Sequence, residues 1–257
     1  MSGDIDRRTR PRIMNGMTLS ARTLILALIL TAPLLSAAAA PPPQSTPNVT
    51  VHIERSDVAV DHSLSHRQIK SLLQCRRPAM VGEYVGLSTA DFRARFATRV
   101  TVARDGAAVV GGLVSVNVTL SVGARKIYIA SEFPKDSCSY EQTRAHELHH
   151  ARIDDEVATL FAPRLAAAVR AAAWSLTSIR GTKPEDITAA VHASLNLVME
   201  QQMRALQAFR DTRQAQLDSR SEYKRLSEAC HGETEALVRA AERDESGWYD
   251  DVDCPGP

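Results

Sequence analysis

Arg144-Ala-His-Glu-Leu-His-His-Ala-Arg152 is the stretch whose reading decides this chain, because His146, Glu147 and His150 within it spell H-E-x-x-H. Residues four apart on an α-helix lie one above the other on a single face. Two imidazoles at that spacing can aim nitrogens at one ion, and Zn²⁺ favours imidazole. Glu147 lies about 100° round the helix from His146. There it flanks the ion and can take a proton from a water beside it.

The surroundings suit a helix at this point. A strand, Lys126-Ile-Tyr-Ile-Ala130, is followed by the loop Ser131-Glu-Phe-Pro-Lys-Asp-Ser137. The helix then starts near Ser137 or Ser139, with Asp136 and Glu141 suited to its positive end. His150, Ile153, Val157, Leu160 and Phe161 all fall within about 60° of His146 on the helical wheel. The two histidines therefore share the inward face.

The chain has 257 residues and a net charge of +1. Thr23 to Leu35 is an apolar run preceded by Arg22, and Ser36 to Ala40 are small residues, so residues 1–39 read as an export signal, with Met17 as an alternative start. The run is shorter than the about 20 residues of a membrane-spanning helix. Loss of residues 1–38 removes five arginines and two aspartates and turns +1 into −2. A near-neutral chain without a basic stripe argues against nucleic acid as partner. Residues 40–47 are a Pro-rich linker, and residues 48–257 suffice for one domain ending in an acidic, loosely packed tail. Cys75, Cys138, Cys230 and Cys254 all lie in the exported part. In an oxidising compartment, periplasmic or extracellular, they imply two disulfides in one of three connectivities.

The first half is strand-rich. Asn48–Glu54 alternates, Leu64–Leu73 is a short helix, and Arg99–Ala103 runs into the turn signal Arg104-Asp105-Gly106. Val114, Val116, Val118, Leu120 and Val122 share one face of a half-buried strand. Gly111-Gly112 marks a bend or bulge, and Lys126–Ala130 closes a small antiparallel sheet. The second half is helical. Pro163 ends or kinks the metal helix, and an Ala-rich helix continues to about Ser178. A long helix opens at Pro184 with the stripe Val191, Leu195, Val198, Gln202, Leu206 and Phe209, and helix continues to about Glu242. The expected fold class is α+β: an antiparallel sheet, the H-E-x-x-H helix and a helical C-terminal half.

Over about Cys138–Phe161 the chain resembles the zincin metallopeptidases. In layout it is similar to secreted bacterial proteins described as zinc-dependent proteases. The resemblance implies a zincin-like fold, His146 and His150 as zinc ligands, and Glu147 as general base. It also implies an edge strand that holds the substrate extended, for which Val114–Val122 or Lys126–Ala130 could serve. The longer metzincin motif is absent, since Ile153 stands at its glycine position and no histidine follows at the right distance.

Catalytic zinc takes three protein ligands, and the third is open. His192 lies about 60° from the centre of the long helix's apolar stripe, which favours it. Family precedent for a distant glutamate favours Glu200 instead, and Glu222, Glu228 and His231 also remain. Asp154 is about 12 Å of rise from His146, too far to share the ion, and suits a hydrogen bond to His150. His149 reads as structural, and Tyr128 as core or a carbonyl-polarising group. The expected function is an exported zinc metallopeptidase (a hydrolase acting on peptides or proteins) with no membrane anchor after processing. The alternatives are a non-catalytic zincin-like metal-binding protein and a disulfide-stapled envelope interaction protein.

Overall fold

The computed structural model describes residues 46–76 and 85–244. The expected export signal, most of the linker, and the acidic tail with Cys254 lie outside the described residues.

One long hairpin organises the sheet. Strands β1 (Asn48–Arg55) and β2 (Ala59–Asp61) precede helix α1 (His66–Arg76), and the hairpin follows as β3 (Gly86–Asp105) and β4 (Ala108–Ile129). Its turn lies where the sequence signals it: Gly106 has φ +62°, a conformation that glycine adopts freely. Next come α2 (Cys138–Ser175), β5 (Ile179–Gly181), α3 (Pro184–Leu217), α4 (Arg220–Ala229) and α5 (Glu233–Asp244). β4 is central. β3 pairs with it antiparallel along one side, while β5 (antiparallel) and β1 and β2 (both parallel) share the other. The expectation of an antiparallel sheet is corrected by those two parallel pairings. Strand direction depends on how α1 carries the chain back, which alternation within a strand does not record.

Val114–Val122 and Lys126–Ala130, expected as separate strands, belong largely to the single strand β4. Two extra residues explain the apparent break. β4 has 22 residues against 20 in β3, and the register slips opposite Arg99/Val100 and Thr89/Asp91. Each bulge moves the inward-facing set by one position. Leu113 faces inward, then Val116, Val118, Leu120 and Val122, then Arg125, Ile127 and Ile129. The second bulge holds Ala124 at φ +48°, which is uncommon for a residue with a side chain. It turns Arg125 inward to donate to Ala151 O at 2.9 Å and Asp155 Oδ2 at 2.8 Å, both on α2. The glycine pair has a different task from the one expected. A Cβ on Gly112 would stand 2.0 Å from Thr177 O and one on Gly111 2.4 Å from Thr101 O, so the pair admits close backbone approach.

α2 begins as read: Ser137 is its N-cap and accepts from Tyr140 N at 3.1 Å. Pro163 does not end it, because burial of Phe161, Leu165, Val169 and Ala173 carries the helix through one missing hydrogen bond. The inner face of β4 packs with α2 and α3 in one apolar core that includes Val118, Leu120, Val157, Leu165, Val191 and Leu195. A second core joins Ile69, Ile127, Ile129, Phe133 and Val238. The expected continuous helix to Glu242 breaks twice, at Asp218–Ser219 and at Cys230–Gly232. Ser219 caps α4 by accepting from Glu222 N, and Gly232 at φ +84° turns the chain into α5. α4 buries none of its residues. Its end is tied to the start of α2 by the disulfide Cys138–Cys230. A second expected disulfide would need Cys75 and Cys254, whose side chains lie outside the described residues. No described helix is long and apolar enough to cross a membrane.

Candidate metal centre

α2 and α3 run against each other so that polar rows of equal spacing meet. On α2 the row is His146, His150, Asp154; at the end of α3 it is Asp218, Gln214, Arg210. The rows mirror each other. Asp218 Oδ1 lies 2.9 Å from His150 Nε2 and 3.4 Å from His146 Nε2, and the two Nε2 atoms are 3.1 Å apart. Gln214 takes His150 Nδ1 on its oxygen. Its nitrogen donates to Asp154 Oδ1 at 2.7 Å and His150 O at 3.2 Å. Arg210 grips Asp154 through Nε at 2.6 Å and Nη2 at 3.1 Å. From α4, Glu222 Oε1 stands 3.4 Å from His146 Nδ1 and is held in turn by Arg225.

This bonding fixes where the lone pairs point. Two acceptors surround the Gln214 nitrogen, so its oxygen must face His150, and Nδ1 of His150 must carry hydrogen. The carboxylate of Glu222 makes the same demand of His146 Nδ1. In the neutral tautomers both Nε2 lone pairs then converge with an Asp218 oxygen, within 3.4 Å of one another. Three electron-rich atoms so close, with His146 and His150 only 7% and 8% exposed, need a cation between them. A proton or a metal ion can fill that role. Donor atoms of His146, Glu147 and His150 also lie within 4.8 Å of one another, and this buried cluster could hold a metal ion.

Titration behaviour reflects the same crowding. Burial pulls His150 down, but its bond to Asp218, the charges of Glu147 and Asp218, and Gln214 raise it to about 9. Burial pushes Asp218 up, yet hydrogen bonds and charge from His146 and His150 hold it far below the usual carboxylate range. Glu222 is held low chiefly by Arg225 and also by His146. Burial lifts Glu147 to about 7, against the opposing charges of His150 and His146. Ser88 donates its backbone N–H to Glu147. Gly86 lies so near that a Cβ there would stand 2.6 Å from Glu147 Oε1.

A cleft of about 1330 Å³ reaches this centre between residues 85–90 on one side and the end of α3, α4 and α5 on the other. The strands expected to offer a free edge cannot do so, because β4 is paired on both sides. β3 forms the edge on one side of β4 and β1, β2 and β5 that on the other, and the Gly86–Ala90 part of β3 lines the cleft.

Several expected partners stand elsewhere. His192, expected as third ligand, is exposed, bonded to Thr98 Oγ1 at 3.1 Å and edge-on to Phe96. Its position on the wheel turns it to the sheet, not to α2. Glu200 is exposed and 3.9 Å from Arg204. Glu228 and His231 are exposed, Glu228 at the cleft and His231 in the turn before α5. His149 is exposed, and Tyr128 sits in β4 under Lys126. Asp154, 1% exposed, reaches His150 only through Gln214. Asp218 and Gln214 escaped the sequence reading, although Arg210-x₃-Gln214-x₃-Asp218 repeats the spacing of His146-x₃-His150-x₃-Asp154. A further grouping, Cys138, Cys230 and Glu233, has its sulfurs joined, and Glu233 caps α2 by accepting from Ser139 N at 2.7 Å.

The chain matches no protein-family model, no curated protein and no solved structure.

Proposed function

We propose that this chain is an exported zinc-dependent peptidase of zincin type, with His146, His150 and Asp218 as the zinc ligands and Glu147 as general base. The observation that carries this reading is the convergence of two Nε2 atoms and Asp218 Oδ1, at separations of 2.9–3.4 Å. Ligand atoms about 2.0–2.1 Å from a tetrahedral zinc stand about 3.3 Å apart. Two imidazoles and a carboxylate are a donor set that suits zinc. The disulfide supports an oxidising compartment.

When bound, zinc supplies a Lewis acid for a peptide carbonyl and for water. Glu147 takes the proton of the attacking water on its carboxylate and delivers it to the leaving amine nitrogen as the C–N bond breaks. In the metal-free chain burial brings Glu147 to about 7, well above an ordinary carboxylate, which suits a group that must both take and give up a proton. Gly86 leaves room for that carboxylate, and Ser88 N–H orients it. Apart from the Ser88 N–H that Glu147 takes, the edge of β3 over Gly86–Ala90 offers main-chain groups to an extended peptide in the cleft.

One observation favours a second reading, a metal-holding envelope protein without turnover: all three motif residues are under a tenth exposed. The test is hydrolysis of a mixed peptide library by zinc-loaded protein, with and without a chelator. Chelator-sensitive cleavage supports the peptidase. Metal binding without cleavage supports the second reading, and absence of bound metal sinks both.

A further inference from the structure

We infer that Gln214 is a positioning residue: its amide holds the His150 ring with Nε2 toward Asp218 and links that ring to the buried Asp154–Arg210 pair. The inference rests on the proposed metal site but concerns a residue outside the motif and outside the ligand set.

The two histidines are oriented by different means. His146 meets a charged carboxylate, Glu222, whereas His150 meets a neutral amide. Histidine ligands need an acceptor on the nitrogen turned away from the metal, and this acceptor sets ring orientation and basicity. Gln214 provides it and is itself fixed. Its nitrogen has two acceptors, His150 O and Asp154 Oδ1, so the amide cannot turn over without setting an oxygen against both. Asp154 is immobilised in turn by the two-point grip of Arg210, whose guanidinium lies over the Phe92 ring at 5.5 Å. The Asp154 charge polarises the amide and reaches His150 through it. Gln214 is 4% exposed, so water offers no ready substitute. Asp218 lies one turn further along α3, so the same helix face supplies both the orienting oxygen and the third donor.

The test uses the full-length chain labelled with ¹⁵N-histidine. In metal-free protein, exchange of the His150 Nδ1 hydrogen with solvent is followed by NMR, with His146 Nδ1–H as internal control. Co²⁺ affinity is measured in parallel. In the wild type the His150 hydrogen should be protected. Gln214→Met, similar in shape and helix propensity, should lose that protection, leave His146 unchanged and weaken Co²⁺ binding by about 10–100-fold. An unprotected His150 hydrogen in the wild type overturns the inference even where a variant fails to fold. So does Gln214→Met with wild-type protection or affinity. Protection as expected without Co²⁺ binding would remove the metal reading and leave the positioning role standing.

Discussion

Asp218 Oδ1 lies 2.9 Å from His150 Nε2, so the end of α3 delivers a carboxylate to the face of α2 that carries both motif histidines. The contact forms because α3 stops at Leu217: Asp218 closes the helix and Ser219 starts α4 in a new direction.

The ligand set is open to direct test. The purified protein should carry about one zinc per chain. Asp218→Ala should lose at least the about 10–100-fold in affinity typical of removing an outer partner. His192→Ala and Glu200→Ala should bind as the wild type does. Elemental analysis and metal titration of the three variants check this. Full affinity in Asp218→Ala would shift the third ligand to another group.

Glu147→Gln should keep the metal and the fold, and should lower peptide hydrolysis by about 10²–10⁴-fold. The check is paired metal content and turnover on one substrate. An unchanged rate would remove Glu147 from the chemistry. Gly86→Ala should lower turnover with metal retained, since its methyl group would stand 2.6 Å from Glu147 Oε1.

A metal ion at the proposed site would compete with a proton for His150. Its pKa of about 9 in the metal-free chain means that binding at neutral pH displaces a proton. Affinity should therefore rise about tenfold per pH unit through this group up to about pH 9, then level off. Calorimetry in buffers of different ionisation enthalpy measures the proton released; none at pH 7 would contradict the assignment.

Metal-free stability should depend on pH with a definite sign. His150 is raised in the fold, so its contribution is full below its unfolded value near 6.5 and is lost as pH rises through about 9. Glu147 is also raised, so stability falls as pH climbs from about 4.5 to about 7. Asp218 is lowered, so its contribution is present above its ordinary value of 3.8 and disappears in stronger acid. Together these place the maximum in mildly acidic solution. Urea midpoints across pH check it, and a metal-free maximum above pH 8 would contradict it.

The disulfide closes a separation of 92 residues and ties α4, which buries none of its residues, to the start of α2. Cys138→Ser/Cys230→Ser should cost about 2–4 kcal/mol of stability. It should also weaken metal binding, because α4 carries Glu222 to His146. Metal affinity equal to wild type in the double variant would show that α4 holds its place without the tie.

What the sequence determined by itself was local. The i, i+4 spacing puts His146 and His150 on one face, Ser137 stops α2 at its start, Gly106 turns the hairpin, and the stripe from Val191 to Leu206 buries α3. Each follows from the geometry of a few neighbouring residues. Tertiary structure decided the rest. The parallel pairing of β1 with β4 depends on the path of the chain between them, and the bulge at Ala124 leaves two short alternating runs where there is one strand. Pro163 breaks helices locally, but burial on both sides of it overrides that tendency. The third donor was beyond local reading for the same reason. Helical phase states which way Asp218 and Gln214 face, whereas their arrival at His150 requires the antiparallel register of two helices, set by the apolar core that α2 and α3 share.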